Sequence, residues 1–225
     1  MIDRVATLCD LAEGQWGCVT ERQAKRAGVS GIEIGRLKEA GVIESVINGV
    51  MRIRAGRRHL FPRLYSQWLM LDPERPGWMR DAPGCGVVSH ATALRVYEIG
   101  DRPGPGVEFT LPVAPARPED LPPGIVLHSG EVAADEWTAR SDLFVTTPAR
   151  TLRDLTYSGR FDLAELGRVA HAFLRTHLAN ETELARGLEV AAVTSPYGGK
   201  SAGSLESMLH AADEDSAGFP ARPQR

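Results

Sequence analysis

Nine basic side chains fall between Thr20 and Leu60: Arg22, Lys25, Arg26, Arg36, Lys38, Arg52, Arg54, Arg57 and Arg58. Four acids oppose them, Glu21, Glu33, Glu39 and Glu44, so the stretch carries +5 on a chain whose net charge is −3. The remaining residues therefore sum to −8. A single basic lobe on an acidic chain is the charge pattern of a domain that meets phosphate. Guanidinium groups bind phosphate oxygens and can read a guanine edge through two parallel N–H donors. The chemistry on offer is recognition of double-stranded DNA, not bond making.

Residue patterns for covalent or metal chemistry are weak beside this. Gly199-Lys200-Ser201 resembles the end of a phosphate-binding loop, but the first glycine of that pattern falls on Thr194 and no apolar strand precedes it. Gly84-Cys85-Gly86 lacks the third glycine of a dinucleotide fingerprint, because Val88 or Ser89 stands there. Ser89 and His90 are neighbours with no third group indicated to orient the histidine, and they read as a helix cap and a structural histidine. His171 and His177 are six residues apart, on different faces of a helix, which argues against a metal pair. The three cysteines, Cys9, Cys18 and Cys85, have no CxxC spacing. Zinc and a disulfide framework are thus disfavoured, and reduced, buried thiols are expected. No catalytic residue, metal ligand or cofactor is assigned, and the chain is read as a non-enzyme.

The elements that must position the basic residues run from Thr20 to Ile53. Thr20 with Gln23, and Ser30 with Glu33, are S/T-x-x-E/Q capping boxes, so two helices start ten residues apart. Gly28 supplies the left-handed residue that ends the first helix, and Gly41 closes the second. Val42–Val46 and Val50–Ile53 are β-branched runs flanking Ile47-Asn48-Gly49, a strong hairpin signal. Residues 3–13 form an opening helix through Val5, Leu8 and Leu11 or Ala12, and Trp16–Val19 is expected to join the wing as a short strand. This is the grammar of a winged helix-turn-helix.

Along the second helix, a step of 100° per residue turns Ile34, Leu37 and Gly41 inward and Gly31, Ile32, Gly35, Arg36 and Glu39 outward. Two glycines inside a helix each cost about 1 kcal/mol relative to alanine, and would let the backbone lie close to a groove. Ile32 could meet a thymine methyl group or be half covered by the wing. The expected DNA-binding set is Thr20, Arg22, Arg26, Ser30, Gly31, Ile32, Gly35, Arg36, Asn48 and Arg52. Arg36 would reach base edges or phosphate, Arg22 and Arg26 flanking phosphates, and Asn48 to Arg52 the adjacent backbone. One winged helix with this much charge binds weakly, so an operator with an inverted repeat is expected.

Beyond the wing, His59–Leu71 carries Leu60, Leu64, Trp68 and Leu71 at helical spacing. Val87-Val88-Ser89 opens another element, with Ser89 capping ATALRVYEIG; strands are expected at Val107–Val113, Ile125–His128 and Leu143–Thr146, with a proline-rich loop between 100 and 124. Thr147-Pro148 opens a helix with proline at its first position, where Arg153 and Asp154 are expected to pair. Further helices start at Asp162, at Asn180 with Glu183, and after Ser201. The fold class is α/β (α+β): a winged helix at 1–60, a bridging helix at 61–77, a mixed α/β domain at 78–214 and a disordered tail at 215–225. No apolar run approaches eighteen residues, which excludes a membrane-spanning helix. The first residues are too short and too acidic for a signal peptide, so a cytoplasmic protein is expected.

The order of motifs resembles a known family. GVSGIEIGRLKEAGVIESVINGVMRI, then VVSHATALRVYEI, then a strand before TPARTLRDL, is similar to AbiEi-type antitoxins with an N-terminal winged helix. The likeness runs from about Ile2 to Leu188, and SHATAL at 89–94 and TPARTLRD at 147–154 are its most specific pieces. Family members typically carry tyrosine where this chain has Met51. The resemblance implies an antitoxin that represses its own operon and counteracts a nucleotidyltransferase-like toxin encoded beside it, with direct contact between the two left open. The stretch from Ser195 is similar to a connector that leads into a restriction-endonuclease-like domain in longer relatives. Two other readings are a ligand-responsive transcription regulator and the DNA-targeting half of a truncated nuclease-like protein.

Overall fold

A computed structural model describes residues 2–99, 106–113, 121–194 and 204–217. Among them are nine α-helices and eight strands, the mixed α/β class expected from the sequence. The chain divides into two compact units. The first comprises Met1–Val87, Pro105–Glu131 and Ser141–Leu143, and the second Val88–Gly104, Val132–Arg140 and Phe144–Arg225.

The first unit opens with α1 (Ile2–Glu13), β1 (Cys18–Thr20), α2 (Glu21–Arg26), α3 (Gly31–Glu39), β2 (Ile43–Ile47) and β3 (Val50–Ile53). Its three strands form an antiparallel sheet in the order β1-β3-β2, with Thr20 opposite Val50 and Ile43 opposite Ile53. That element order and sheet make a winged helix-turn-helix. Both capping boxes close: Thr20 Oγ1 accepts from the Gln23 N–H at 3.0 Å, and Ser30 Oγ from the Glu33 N–H at 3.3 Å. Gly28 and Gly41 end the two helices at φ 79° and 70°, where a Cβ would be strained. Leu8, Ala24, Ile34, Leu37, Met51 and Ile53 fill the core between helices and sheet. Met51 is 1% exposed in that core.

Helix α4 (Pro62–Met70) belongs to this same unit, where it packs on β1 and β2. Its end is held from within. Arg80, 4% exposed, donates to the carbonyls of Trp68 at 2.6 Å and Leu69 at 2.7 Å, and its guanidinium lies 4.6 Å over the Trp68 ring. Burial lowers the Arg80 pKa to about 10 despite the nearby Asp72. A charged side chain here satisfies the orphan carbonyls that end any helix. A single 3-10 turn at Gly77–Met79 follows, and β4 (Val87–Val88) begins at the unit's edge. The strands β5 (Val107–Leu111) and β6 (Ile125–Ser129) pair in parallel, from Val107 opposite Ile125 to Leu111 opposite Ser129.

The second unit holds α5 (His90–Val96), β7 (Trp137–Arg140), β8 (Leu143–Thr146) from Phe144 onward, α6 (Pro148–Ser158), α7 (Leu163–Arg175), α8 (Glu181–Thr194) and α9 (Leu205–Ala217). Val88 pairs in parallel with Val145, and β7 borders β8. Thr147 caps α6 through the Arg150 N–H, Asp162 caps α7, and Asn180 and Glu183 bond reciprocally at the start of α8, each as its sequence signature indicates. Helix α7 meets α9 so closely that a Cβ on Gly167 would stand 1.9 Å from the Met208 carbonyl oxygen. Tyr97 donates to the Thr146 carbonyl at 2.9 Å and meets Phe173 edge-on.

Several expectations need correction. Strand β5 stops at Leu111, and β7 carried too little apolar pattern to be anticipated. Residues 215–217 continue α9. The chain returns to the first unit twice, over Pro105–Glu131 and Ser141–Leu143. Arg153 does not pair with Asp154. Arg150 Nε reaches Asp154 at 2.8 Å, one turn away on the same face, while Arg153 bonds Glu136 at 2.5 Å. Ser89 precedes α5 without a side-chain cap; its Oγ faces His90 Nδ1 at 2.9 Å, beside a His90 backbone at φ 51°. Most of the proline-rich loop and the Gly199-Lys200-Ser201 motif lie outside the described residues.

Candidate nucleic-acid interface

The outward face of α3 has the character its periodicity foretells. Ile34 and Leu37 are buried, while Ser30, Gly31 and Arg36 are exposed and Ile32 is 72% exposed. The wing therefore does not cover Ile32. Among the described residues no atom beyond the helix lies within 4 Å of a Cβ placed on Gly31 or Gly35, so neither glycine is required by packing among them. Among the described residues no carboxylate pairs with Arg36. This is a small, open helical face with one uncompensated guanidinium and one bare aliphatic side chain.

Several other cations of the unit are held by acids. Glu74 lies between Arg22, at 3.6 Å, and Arg26, at 3.1 Å. Lys38 faces Glu21 at 3.7 Å, and Arg4 faces Glu33 at 3.3 Å. Arg57 stacks on Trp16, 4.9 Å from the ring centre. The hairpin turn leans on its neighbours: the Gly49 carbonyl accepts from the Glu21 N–H at 2.9 Å, and Met70 lies against Gly49. Asn48 remains exposed at the turn, above a cleft of about 420 Å³ that Arg22, Lys25 and Met70 also line.

Two members of the expected set leave it. Thr20 is fully buried, and its hydroxyl, besides capping α2, donates to the Pro73 carbonyl. Arg52 is 9% exposed; it bonds Glu44 at 2.5 Å and donates to the carbonyls of Ile53, Arg54 and Gly56. That guanidinium fastens the base of the wing, and it holds the Glu44 carboxyl below its ordinary range. Arg52 is drawn inward because β3 is the central strand of the three, buried along its whole length. Arg22, Arg26, Ser30, Gly31, Ile32, Gly35, Arg36 and Asn48 keep at least partial exposure.

A buried amide pair, missed from the sequence, fixes this face to the rest of the unit. Gln15 and Gln23, 0% and 2% exposed, exchange hydrogen bonds of 3.0 and 3.1 Å. Gln15 also accepts from the Gly77 N–H at 2.8 Å, and Gln23 donates to the Arg75 carbonyl at 3.2 Å. A polar cluster so completely satisfied specifies one arrangement of its elements. The only local sign of it was the Thr20/Gln23 capping box.

Ser89 is fully buried, so its hydroxyl is closed to a substrate. His171 faces Asp213 at 3.2 Å, and His177 follows the end of α7 at φ 54°. All three cysteines are free; Cys18 and Cys85 are buried as expected, but Cys9 is exposed. Burial pushes the Cys18 thiol up, toward the inert neutral form.

No family model matches the chain, and no curated protein matches it. The fold is similar to that in the crystal structure of the RV2827C protein from Mycobacterium tuberculosis, with a TM-score of 0.50 over 92% of this chain and 79% of that one. Identity is 16%, so the likeness concerns the fold alone. No enzymatic family is indicated, and no helix among the described residues is long and apolar enough to cross a membrane.

Proposed function

We propose that this protein is a DNA-binding transcriptional repressor of its own operon, acting as the antitoxin to a nucleotidyltransferase-like toxin encoded beside it. The observation that carries the DNA reading is the outward face of α3, where Arg36 has no acidic partner among the described residues and Gly31 and Gly35 stand bare. A protein that binds nothing here has no packing reason to keep two glycines in a nine-residue helix. Laid in the major groove, α3 brings Arg36 to base edges and Ile32 to a thymine methyl group, with Asn48 on the adjacent backbone. The antitoxin role rests on the sequence resemblance, and cytoplasmic placement follows from the role.

Mobility shifts on the operon's own promoter test the first half. Arg36→Ala should lose about 1–3 kcal/mol at the specific site, while Arg52→Ala should act through folding. Unchanged affinity for Arg36→Ala sinks the assignment of α3. Co-expression of the full chain with the neighbouring toxin tests the second half: growth must be restored, and a DNA-binding-defective Arg36→Ala chain should restore it as well when both genes are driven from an independent promoter.

A further inference from the structure

Glu74 occupies an unusual place. Its carboxylate stands between the two guanidinium groups of α2 expected to bind flanking phosphates, 3.6 Å from Arg22 and 3.1 Å from Arg26. All three side chains are partly or largely open to water, so nothing in the fold's interior requires the contact. The segment that carries Glu74 is bolted down on both sides of it. The Pro73 carbonyl accepts from the Thr20 hydroxyl, the Arg75 carbonyl from Gln23, and the Gly77 N–H donates to Gln15. The segment that carries the carboxylate is therefore held beside α2 by hydrogen bonds to its backbone, not by the strength of an exposed ion pair, which is worth little by itself.

We propose that Glu74 is a built-in phosphate competitor: its carboxylate takes the position of a DNA phosphate on Arg22 and Arg26 and must yield it when the protein binds. This rests on the DNA-binding reading above and adds a residue that sets how tightly, and with what salt dependence, that surface engages. Carboxylate and phosphate oxygens are both anionic acceptors for guanidinium N–H groups. Because Glu74 cannot leave the neighbourhood when displaced, its charge continues to repel the phosphate that replaces it. The lobe's effective charge toward DNA is thus lower than its count of arginines suggests, which disfavours binding to arbitrary sequence, where backbone contacts supply nearly all the affinity.

The test is Glu74→Gln in the full-length protein, measured by fluorescence anisotropy on promoter and scrambled duplexes across a salt series. Asp10→Asn, an exposed acid of α1, serves as a control for removing one negative charge anywhere. Glu74→Gln should bind both duplexes about fivefold tighter, the effect of one unit charge roughly 4 Å away in water. The slope of log affinity against log salt should steepen by about 0.9, one further phosphate neutralised. Asp10→Asn should leave both quantities unchanged. Tighter binding with an unchanged slope, weaker binding, or an equal effect from Asp10→Asn overturns the inference while leaving the DNA reading intact. Absence of binding by all three proteins at low salt overturns the DNA reading and the inference with it.

Discussion

Thr20 and Ser30 fill the same position in the same sequence motif, yet replacing them by alanine should have unequal consequences. Ser30 is an exposed cap whose hydroxyl bonds only within its own turn. Its loss should cost about 1 kcal/mol, the usual value for an N-cap. Thr20 provides the same cap at 0% exposure and also donates to the Pro73 carbonyl. Alanine there removes the cap and strands a carbonyl that water reaches only in part, adding about 1–2 kcal/mol. The expected total is about 2–3 kcal/mol, or a two- to threefold larger shift in urea midpoint at an unchanged m-value. Unfolding followed by tryptophan fluorescence in a Trp137→Phe background reports on the first unit, because Trp16, Trp68 and Trp78 all lie there. If Thr20→Ala costs no more than Ser30→Ala, the bond to Pro73 contributes nothing, and the account of how the 73–77 segment is anchored is wrong.

Other changes separate binding from stability. Gly35→Ala should stabilise the fold by about 0.5–1 kcal/mol, since the added methyl meets open space in a helix interior, yet weaken DNA affinity in mobility shifts; a gain in both would remove close backbone approach from the mechanism. Gly167→Ala should pry α9 from α7, because the new Cβ would strike the Met208 carbonyl, and limited proteolysis should then cut the C-terminal helix faster. Arg80→Met keeps the bulk but leaves the carbonyls at the end of α4 without donors, so the melting temperature should drop by several degrees, at about 2–4 kcal/mol. Burial lowers the His59 pKa, its Nδ1 accepting from Phe61 and its Nε2–H held on the Ser141 carbonyl. The unfolded chain then binds the proton more readily, so this contribution is complete above the unfolded pKa of about 6.5 and is lost as pH falls through the folded value. Denaturation between pH 7.5 and 5 should show that loss, and His59→Gln should flatten it.

Much of the winged helix was legible because its signals act within a few residues. A capping side chain meets a backbone N–H three positions on, a left-handed glycine ends its own helix, and an Asn-Gly pair closes its own hairpin, as at Thr20, Ser30, Gly28, Gly41 and Gly49. The caps of α6 and α7 are legible for the same reason. Helical period likewise sorted Ile34 and Leu37 from Ile32 and Arg36, because one helix buries only one stripe. The fate of the charges could not be read this way. Arg52 looked like a wing cation and is an interior fastener; Arg22 and Arg26 looked uncompensated until the chain, dozens of residues later, brings Glu74 to them. Arg36 has no such visitor among the described residues. Nor does any local pattern say that Gln15 and Gln23 clasp each other, or that Pro105–Glu131 returns to the first unit. Helix starts and exposed faces are decided by bonds that a short segment makes with itself. Which charge survives to meet a partner is decided by distances through space, and those exist only once the chain has folded back on itself.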